Sequence, residues 1–197
     1  MAALLLAGVL LVAAADGHAD TPSHRSLTGR LLVATEGMRD PRFARTVIYV
    51  VRHNAQGAFG LIVNLPMAEI SYERLLRPFG LEVPPGSGNV RVHYGGPMQE
   101  LHGYVLHTPE WKREGTAVVD EHFAFTADPR VMQAVARGAG PRRALFFLGH
   151  AGWAAGQLDA ELETGGWAVA HADERIVFEE DPTQKWIEAM TRLILQF

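Results

Sequence analysis

TVIYVVRHNAQGAFGLIV, from Thr46 to Val63, is the stretch of sequence that decides the fold. Two runs rich in β-branched and apolar residues, 46–51 and 58–63, flank a short polar loop that contains Asn54 and Gly57. Two such runs around an Asn- and Gly-containing loop predict a β-hairpin, with Gly57 at positive φ. Neither run alternates cleanly between apolar and polar residues, so we expect both faces of the hairpin to be covered.

Further strands are predicted on both sides of this hairpin, from short apolar runs bounded by turn residues. These runs lie at 31–34, 90–94, 103–106, 117–119, 123–125 and 144–148. The last one is the most apolar, and the segment Gly149 to Gln157 that follows it is predicted to be a tight glycine-rich loop. A second hairpin is predicted from the runs 167–170 and 176–178, which flank the turn Ala172-Asp173-Glu174.

Four segments have the spacing of apolar residues that is typical of helices. They are Ile70 to Phe79, a helix that Asp128-Pro129 begins, a short helix over Leu158 to Leu162, and a terminal helix that Asp181-Pro182 begins. An Asp-Pro pair supplies a side-chain acceptor at the N-cap and a proline at the first helical position.

Strands outnumber helices in this pattern and do not alternate with them strictly. The prediction is therefore an α+β fold, with a strongly curved, largely antiparallel sheet that three or four helices flank. One such domain is expected to occupy residues 26–197.

Composition excludes several classes of protein. The 197 residues include 48% hydrophobic residues, 22 Asp plus Glu, 18 Lys plus Arg and no Cys, with a formal net charge of −4. Without cysteine there is no disulfide, thiolate metal site or cysteine nucleophile. The negative charge, the scattered basic residues and the lack of a helix-turn-helix pattern make nucleic acid an unfavoured partner.

The N-terminal segment, residues 1–19, has the composition of a leader. Its apolar run from Leu4 to Ala15 is shorter than the roughly 20 residues that span a bilayer, so we expect no stable membrane span. Small residues after this run suit a signal-peptide cleavage site, although no Lys or Arg precedes it. Cleavage would make the protein periplasmic or exported; the alternative is a cytoplasmic protein.

Three stretches, in this order, resemble the YqgE/AlgH family of bacterial proteins. The first is LTGRLLVA at 27–34 together with FARTVIYVVRHNAQGAFGLIVNLP at 43–66. The second is GGPMQELHGYVLH at 95–107. The third is FFLGHAGWAAGQLDAEL at 146–162, followed by GGWAVAHAD at 165–173 and DPTQKW at 181–186.

This resemblance implies a flattened, barrel-like sheet flanked by helices. It implies no reaction, because the family has no established enzymatic activity, and its name comes from a proposed link to alginate regulation. Family members are usually treated as cytoplasmic, so the leader is unusual. The sequence departs from the family pattern at Leu65, His150 and Asp159, where Arg, Tyr and Glu are frequent.

Glycine, histidine, asparagine and tryptophan are concentrated at the ends of the predicted strands, where loops carry function more often than core positions do. We therefore expect a cleft between the Gly95-Gly96 turn, the Gly149 to Gln157 loop and the hairpin end at His53. The residues predicted to form it are His53, Asn64, Gly95, Gly96, His107, Gly149, Gly152, Trp153 and Gln157.

The leading functional hypothesis is a non-enzymatic binding or regulatory protein whose partner is a small anion or a peptide. A glycine-rich loop before a helix can present backbone N–H groups to an anion, although these glycines also suit a purely structural turn. The alternative is a hydrolase or transferase in which His53 or His107 acts as general base. No metal or other cofactor is predicted, because the histidines lack ligand spacing and no nucleotide-binding motif is present.

Overall fold

A sheet of ten strands, curled into a half-barrel, forms the frame of the protein. The computed structural model describes residues 26–179 and 181–194. The strands are β1 (Arg30–Ala34), β2 (Val47–Asn54), β3 (Gly57–Ile62), β4 (Pro66–Ser71), β5 (Asn89–Tyr94), β6 (Met98–His107), β7 (Ala117–Val118), β8 (Ala124–Thr126), β9 (Ala144–Ala154) and β10 (Trp167–His171).

Eight of these strands follow one another in the order β10-β1-β2-β3-β9-β6-β8-β7, while β4 pairs with β5, and β5 pairs with β9. The β5–β9 pair is parallel, and the other strand pairs are antiparallel. The predicted α+β fold with a strongly curved, largely antiparallel sheet is therefore confirmed.

Four α-helices in the described residues flank the sheet, within the predicted three or four. They are α1 (Tyr72–Leu76), α2 (Arg130–Ala136), α3 (Gln157–Glu163) and α4 (Pro182–Ile194). Short 3-10 turns lie at Pro41–Phe43 and Arg77–Phe79, and a π-helical turn lies at Arg175–Glu179.

The predicted central hairpin is confirmed. Strands β2 and β3 pair in antiparallel fashion from Ile48 opposite Ile62 to Asn54 opposite Gly57. Gly57 has φ 127°, and a Cβ atom there would lie 2.2 Å from the Trp153 carbonyl oxygen. Most side chains of both strands are buried, which agrees with the lack of strict alternation in the sequence.

Strand β9 joins the two parts of the sheet. Its first half pairs with β6 on one side and with β5 on the other, and its second half pairs with β3. Phe147, in its first half, is fully buried in the largest core cluster. Hydrogen bonds along both edges of β9 thus hold most of the sheet together.

The glycine-rich loop predicted over Gly149 to Gln157 is not a loop. Strand β9 continues to Ala154, and only two residues separate it from α3. Gly149, at φ 72°, bends the strand where its pairing partner changes, and residues 151–154 then hydrogen-bond to β3. The backbone partners offered by β3 outweigh the turn preference of the glycines.

The hairpin predicted from 167–170 and 176–178 is also wrong. The first run is strand β10, but it pairs with β1, and the second run lies in the π-helical turn. The Asp173 carboxylate accepts a hydrogen bond from the Ile176 N–H at 2.8 Å, which favours a helical turn at this point. Ile176 and Val177 are fully buried there, so they pack in the core without joining the sheet.

The helix predicted over Ile70 to Phe79 is shorter in the structure, and part of it is strand. Ile70 lies in β4, which the sequence did not predict, and α1 begins at Tyr72. The Ser71 hydroxyl accepts a hydrogen bond from the Arg74 N–H and caps the helix. Ile70 pairs with Val90, which explains its apolar character without a helix.

Each face of the curled sheet carries its own core. On the inner face, Tyr49 and Phe147 pack together with residues of α4. On the outer face, Ile48, Trp153 and Trp167 pack around Leu158 of α3. A third cluster lies beneath α1 and α2. No helix in the described part of the chain is long and apolar enough to cross a membrane.

Candidate functional site

Glu161 of α3 connects two buried tryptophans on the outer face of the sheet. Trp153 of β9 and Trp167 of β10 both donate their indole N–H to the same Glu161 carboxylate oxygen, each at 2.9 Å. The rings are nearly perpendicular, with centroids 6.2 Å apart. One carboxylate therefore fixes the orientation of both indoles.

Gln157 completes this network at the start of α3. Its side-chain amide donates to the second oxygen of Glu161 at 2.9 Å, four residues away on the same helix. Its carbonyl oxygen accepts from the Ala154 N–H at 3.0 Å, at the end of β9. Gln157 thus links the junction between β9 and α3 to Glu161. Through Glu161 it is linked to Trp153 and Trp167, which we call the tryptophan wall.

A cavity of about 500 Å³ lies between this wall and the connection from β1 to β2. Trp153, Trp167, Gln157 and Glu161 line one side of it, and residues 37–40, 42 and 43 line the other. Phe43 packs edge-on against Trp167, with centroids 5.7 Å apart. We call this space the indole cavity. Its volume lies in the range of small-ligand sites, which is about 300–1,000 Å³.

The charged residues on the connection from β1 to β2 differ in their partners. Arg42 forms a two-pronged ion pair with Asp40, with contacts of 2.6 and 3.1 Å. The hydrogen bonds from Arg42 hold the pKa of the Asp40 carboxyl below its usual value. Arg39 also lines the indole cavity and is exposed, and it forms no ion pair with any residue in the described ranges. The unbalanced charge at this wall is therefore positive.

Three of the nine residues predicted from the sequence line the indole cavity: Gly152, Trp153 and Gln157. The structure does not bring the other six into the same cleft. They lie in three other parts of the fold.

Gly95, Gly96 and Gly149 lie where two backbones cross. A Cβ atom at Gly95 would lie 2.2 Å from the Gly149 carbonyl oxygen, and one at Gly149 would lie 2.3 Å from the Gly96 oxygen. All three glycines are buried. Backbone atoms therefore fill the space directly around these three glycines.

His53 is buried on β2 with an exposed fraction of 4%. Its Nδ1 accepts a hydrogen bond from the Leu27 N–H at 3.2 Å, so Nε2 carries the proton in the neutral ring. Nε2 faces the Asp159 carboxylate at 3.5 Å. The imidazole links the start of the described chain to α3 and lines none of the cavities described here.

Asn64 and His107 are also buried. The Asn64 side chain accepts from the Val47 N–H at 2.8 Å and donates to the Arg45 carbonyl oxygen at 2.9 Å. His107 contacts the Thr108 carbonyl oxygen through Nδ1, and its Nε2 has no hydrogen-bond partner in the described part of the chain. Burial lowers the pKa of His107, which disfavours its protonation.

The residues that line the indole cavity but were not singled out from the sequence include Arg39, Glu161 and Trp167. A signal for Glu161 was present, because Gln157 and Glu161 are four residues apart and so share one face of a helix. Nothing in the sequence pattern linked Arg39 to them. No three His, Asp or Glu side chains within residues 26–179 and 181–194 are grouped so that they could hold a metal ion.

The fold and the sequence define the class of protein. The model of the AlgH-like family matches residues 31–197, and the chain belongs to this family. A UPF0301 protein of Rhodospirillum rubrum is 46% identical over 167 residues, covering 85% of this chain and 87% of the relative. A UPF0301 protein of Gluconobacter oxydans is 41% identical over 169 residues, covering 85% of this chain and 90% of the relative.

Two solved structures share the architecture. The solution structure of the AlgH protein from Pseudomonas aeruginosa superimposes with a TM-score of 0.75 at 38% identity, covering 87% of this chain and 90% of that one. A crystal structure of a protein from Corynebacterium diphtheriae gives a TM-score of 0.64 at 23% identity, covering 83% and 85% of the two chains, and so shows the likeness of the fold alone. The resemblance recognised in the sequence is confirmed.

Proposed function

We propose that this protein is a binding protein, with a regulatory rather than a catalytic role, that holds a carboxylate-bearing ligand in the indole cavity. The ligand is a small organic anion or the C-terminal carboxylate of a peptide. The proposal rests on a rigid aromatic wall that faces, across one cavity, an arginine with no ion pair among the described residues.

The charges on the connection from β1 to β2, on the side of the cavity opposite to Glu161, favour an anion. Arg42 is neutralised by Asp40, and the Glu161 carboxylate is occupied by three N–H donors. Arg39 remains as the cation that lines the cavity without an ion pair among the described residues. A guanidinium binds a carboxylate through two parallel hydrogen bonds, which gives orientation as well as affinity.

The wall opposite Arg39 is rigid before any ligand binds. Trp153 and Trp167 are 7% and 4% exposed, and both indole N–H groups are already bonded. A preorganised apolar surface costs little conformational entropy when a ligand packs on it. Met38 and Phe43 add apolar contact area near the charged group.

Thermal-shift screening followed by two-dimensional NMR tests this proposal. Acetate, benzoate and a short peptide with a free C-terminus form the carboxylate arm, and the amidated peptide is its uncharged partner. We expect carboxylates to raise the melting temperature and to move the indole N–H signals of Trp153 and Trp167, while the amidated peptide has a weaker effect.

Arg39→Gln is expected to weaken carboxylate binding about fivefold to tenfold, as loss of one charge-assisted contact implies. Arg77→Gln is the matched control, since Arg77 is an exposed arginine that lies outside the indole cavity. Indole signals that stay in place at millimolar ligand, or equal binding by Arg39→Gln and the unsubstituted protein, would contradict the proposal.

The structure gives the hydrolase or transferase alternative no support. A general base needs an open position within hydrogen-bond reach of a nucleophile or a water site. His53 is 4% exposed and His107 is fully buried, and both imidazoles contact structural groups.

The leader over residues 1–19 lies outside the described residues, and export remains a separate proposal based on composition. Mass spectrometry of the N-terminus of the natively expressed protein, together with cell fractionation, tests it. Cleavage near Ala15 or Ala19 supports a periplasmic or exported protein, and an intact Met1 in the cytoplasmic fraction supports the alternative.

A further inference from the structure

A second cavity, of about 370 Å³, lies on the inner face of the sheet, opposite to the indole cavity. It lies between strands that are not neighbours in the sheet order. Val51 and Arg52 of β2 line one side, and Ala117 and Val118 of β7, the last strand of the sheet order, line the other. We call it the barrel-mouth cavity.

Asp120, which follows β7, makes a contact across the sheet beside this cavity. The Tyr49 hydroxyl donates to the Asp120 carboxylate at 3.3 Å, and a Cβ atom at Gly29 would lie 2.9 Å from the same oxygen. This contact joins the segment after β7 to β2 and to the residue before β1, although β7 forms no hydrogen-bonded strand pair with β1 or β2. Thr28 and Val119, the chain neighbours of Gly29 and Asp120, line the barrel-mouth cavity.

Aromatic rings form the floor of the barrel-mouth cavity. Phe59 meets Tyr104 and Phe125 edge-on, with centroids 5.4 and 5.3 Å apart, and Tyr104 stacks beside Phe125 at 5.6 Å. His150 stacks on Phe59 at 4.4 Å and supports it from a neighbouring strand. The Tyr104 hydroxyl is directed to Gln99, so its ring is held in position.

The rim carries one cation. Arg52 is exposed, lines the barrel-mouth cavity and forms no ion pair with any residue in the part of the chain that the structure describes. The remaining lining is apolar or aromatic apart from Thr28, whose hydroxyl accepts from the His53 N–H at 2.8 Å. The Asp120 carboxylate lies beside the cavity but is not part of its lining, so Arg52 is the only charged residue among those that line it. An apolar chamber with this positive charge at its edge is complementary to an amphipathic anion.

We propose that the barrel-mouth cavity is a second binding site, which takes a small monocarboxylate with an apolar body. The body packs on Phe59, Tyr104 and Phe125, and the carboxylate pairs with the Arg52 guanidinium. Because the lining is almost wholly apolar, a ligand without an apolar body gains too little there to bind. The two cavities lie on opposite faces of the sheet, so this site is independent of the one proposed above.

Titration of the full chain by NMR, with labelled phenylalanine, tyrosine and valine, tests this site. The two probes are octanoate, whose apolar body is aliphatic, and 2-naphthoate, whose apolar body is aromatic. Comparing them shows which kind of apolar body the cavity prefers. Octanol and 2-naphthamide are their uncharged counterparts. We expect one probe or both to move the ring signals of Phe59, Tyr104 and Phe125 and the methyl signals of Val118 in a saturable way.

Arg52→Gln is expected to weaken carboxylate binding about fivefold, with little change for the uncharged counterparts. Val118→Asp is a second variant at a residue that is 49% exposed. It adds a negative charge to the wall and is expected to weaken carboxylate binding, while Arg77→Gln leaves it unchanged. Arg52 and Val118 are both exposed. The melting temperature of each variant therefore distinguishes loss of binding from unfolding.

Three results would overturn the second site. One is the absence of any shift in the ring signals at millimolar octanoate and naphthoate. Another is equal carboxylate affinity in Arg52→Gln and the unsubstituted protein. A response confined to the indole signals of Trp153 and Trp167 would also overturn it, and would support the indole cavity instead.

Discussion

Gly95 and Gly149 pass each other so closely that a Cβ atom on Gly95 would lie 2.2 Å from the Gly149 carbonyl oxygen. Gly95 follows β5, and Gly149 lies within β9, where its φ is 72°. This crossing occurs where β9 changes partners. Only residues without a side chain fit here, so the glycines are required by packing and not by a ligand.

Gly149→Ala and Gly156→Ala separate the effect of packing from that of backbone strain. Both glycines have nearly the same φ, 72° and 71°, but a Cβ atom at Gly156 would meet nothing within 4 Å. We expect Gly156→Ala to cost about 1–2 kcal/mol from strain alone, and Gly149→Ala to cost about 1–3 kcal/mol more from the clash. Urea unfolding measures both. Equal losses would show that the crossing relaxes around a methyl group.

Glu161→Ala is expected to destabilise the protein by about 2–4 kcal/mol, because it leaves two indole N–H groups without their acceptor in a buried wall. The free energy of unfolding, measured in urea, checks this. Glu163→Ala on the same helix is the control. Glu163 is exposed, and we expect a change within about 0.5 kcal/mol.

The result for Glu161 would be contradicted by a loss no larger than that of the control. A double-mutant cycle with Trp153→Phe isolates the indole contact, since phenylalanine keeps the ring contact but lacks the N–H. We expect the loss from Glu161→Ala to be smaller in the Trp153→Phe background.

His93 makes stability depend on pH. Burial lowers its pKa from 6.5 to about 4, and the side chain is 3% exposed. The unfolded chain therefore binds a proton at higher pH than the folded protein does, so stability rises from about pH 4 to pH 6.5 and is lost as the pH falls through this window. A shift of this size corresponds to about 3 kcal/mol as an order of magnitude.

His93→Gln retains a donor for the Phe146 carbonyl oxygen, which His93 Nδ1 contacts at 3.2 Å. We expect the variant to show a flatter dependence of unfolding free energy on pH between about 4 and 6.5. Burial also lowers the pKa of His107 and of His150, so some slope should remain. An unchanged slope would mean that His93 keeps its ordinary pKa in the folded protein.

Asn64→Asp is expected to cost about 2–4 kcal/mol at pH 7. The substitution keeps the acceptor for the Val47 N–H, but it removes the donor to the Arg45 carbonyl oxygen and buries a charge. Asn54→Asp is the matched control, because Asn54 is exposed and its Oδ1 only accepts from the Gln56 N–H. Thermal unfolding of both variants measures the difference, and equal melting temperatures would contradict this role of Asn64.

The parts of the fold that the sequence predicted are those with strong local signals. The hairpin of β2 and β3 follows from β-branched runs around Gly57, and α4 begins after Asp181, whose carboxylate accepts from the Thr183 N–H. The errors arose where a distant partner overrides the local signal. The residues after Gly149 join a strand because β3 offers them hydrogen bonds, which no local pattern reveals.

The site was harder to predict than the fold, for a physical reason. His53, Asn64 and His107 attracted attention as polar side chains at strand ends, but the protein uses them to satisfy buried backbone groups. Arg39 and Glu161 resemble ordinary surface charges in the sequence. Their common cavity exists only because the chain connection after β1 folds over α3.

The position of β9 in the sheet has a consequence for synthesis on the ribosome. Strands β3, β5 and β6 all depend on β9 for edge hydrogen bonds, yet each of them emerges before residues 144–154 have been translated. The nascent chain therefore exposes these unpaired strand edges until β9 has been synthesised. Unpaired strand edges of this kind favour premature pairing with other chains during biogenesis.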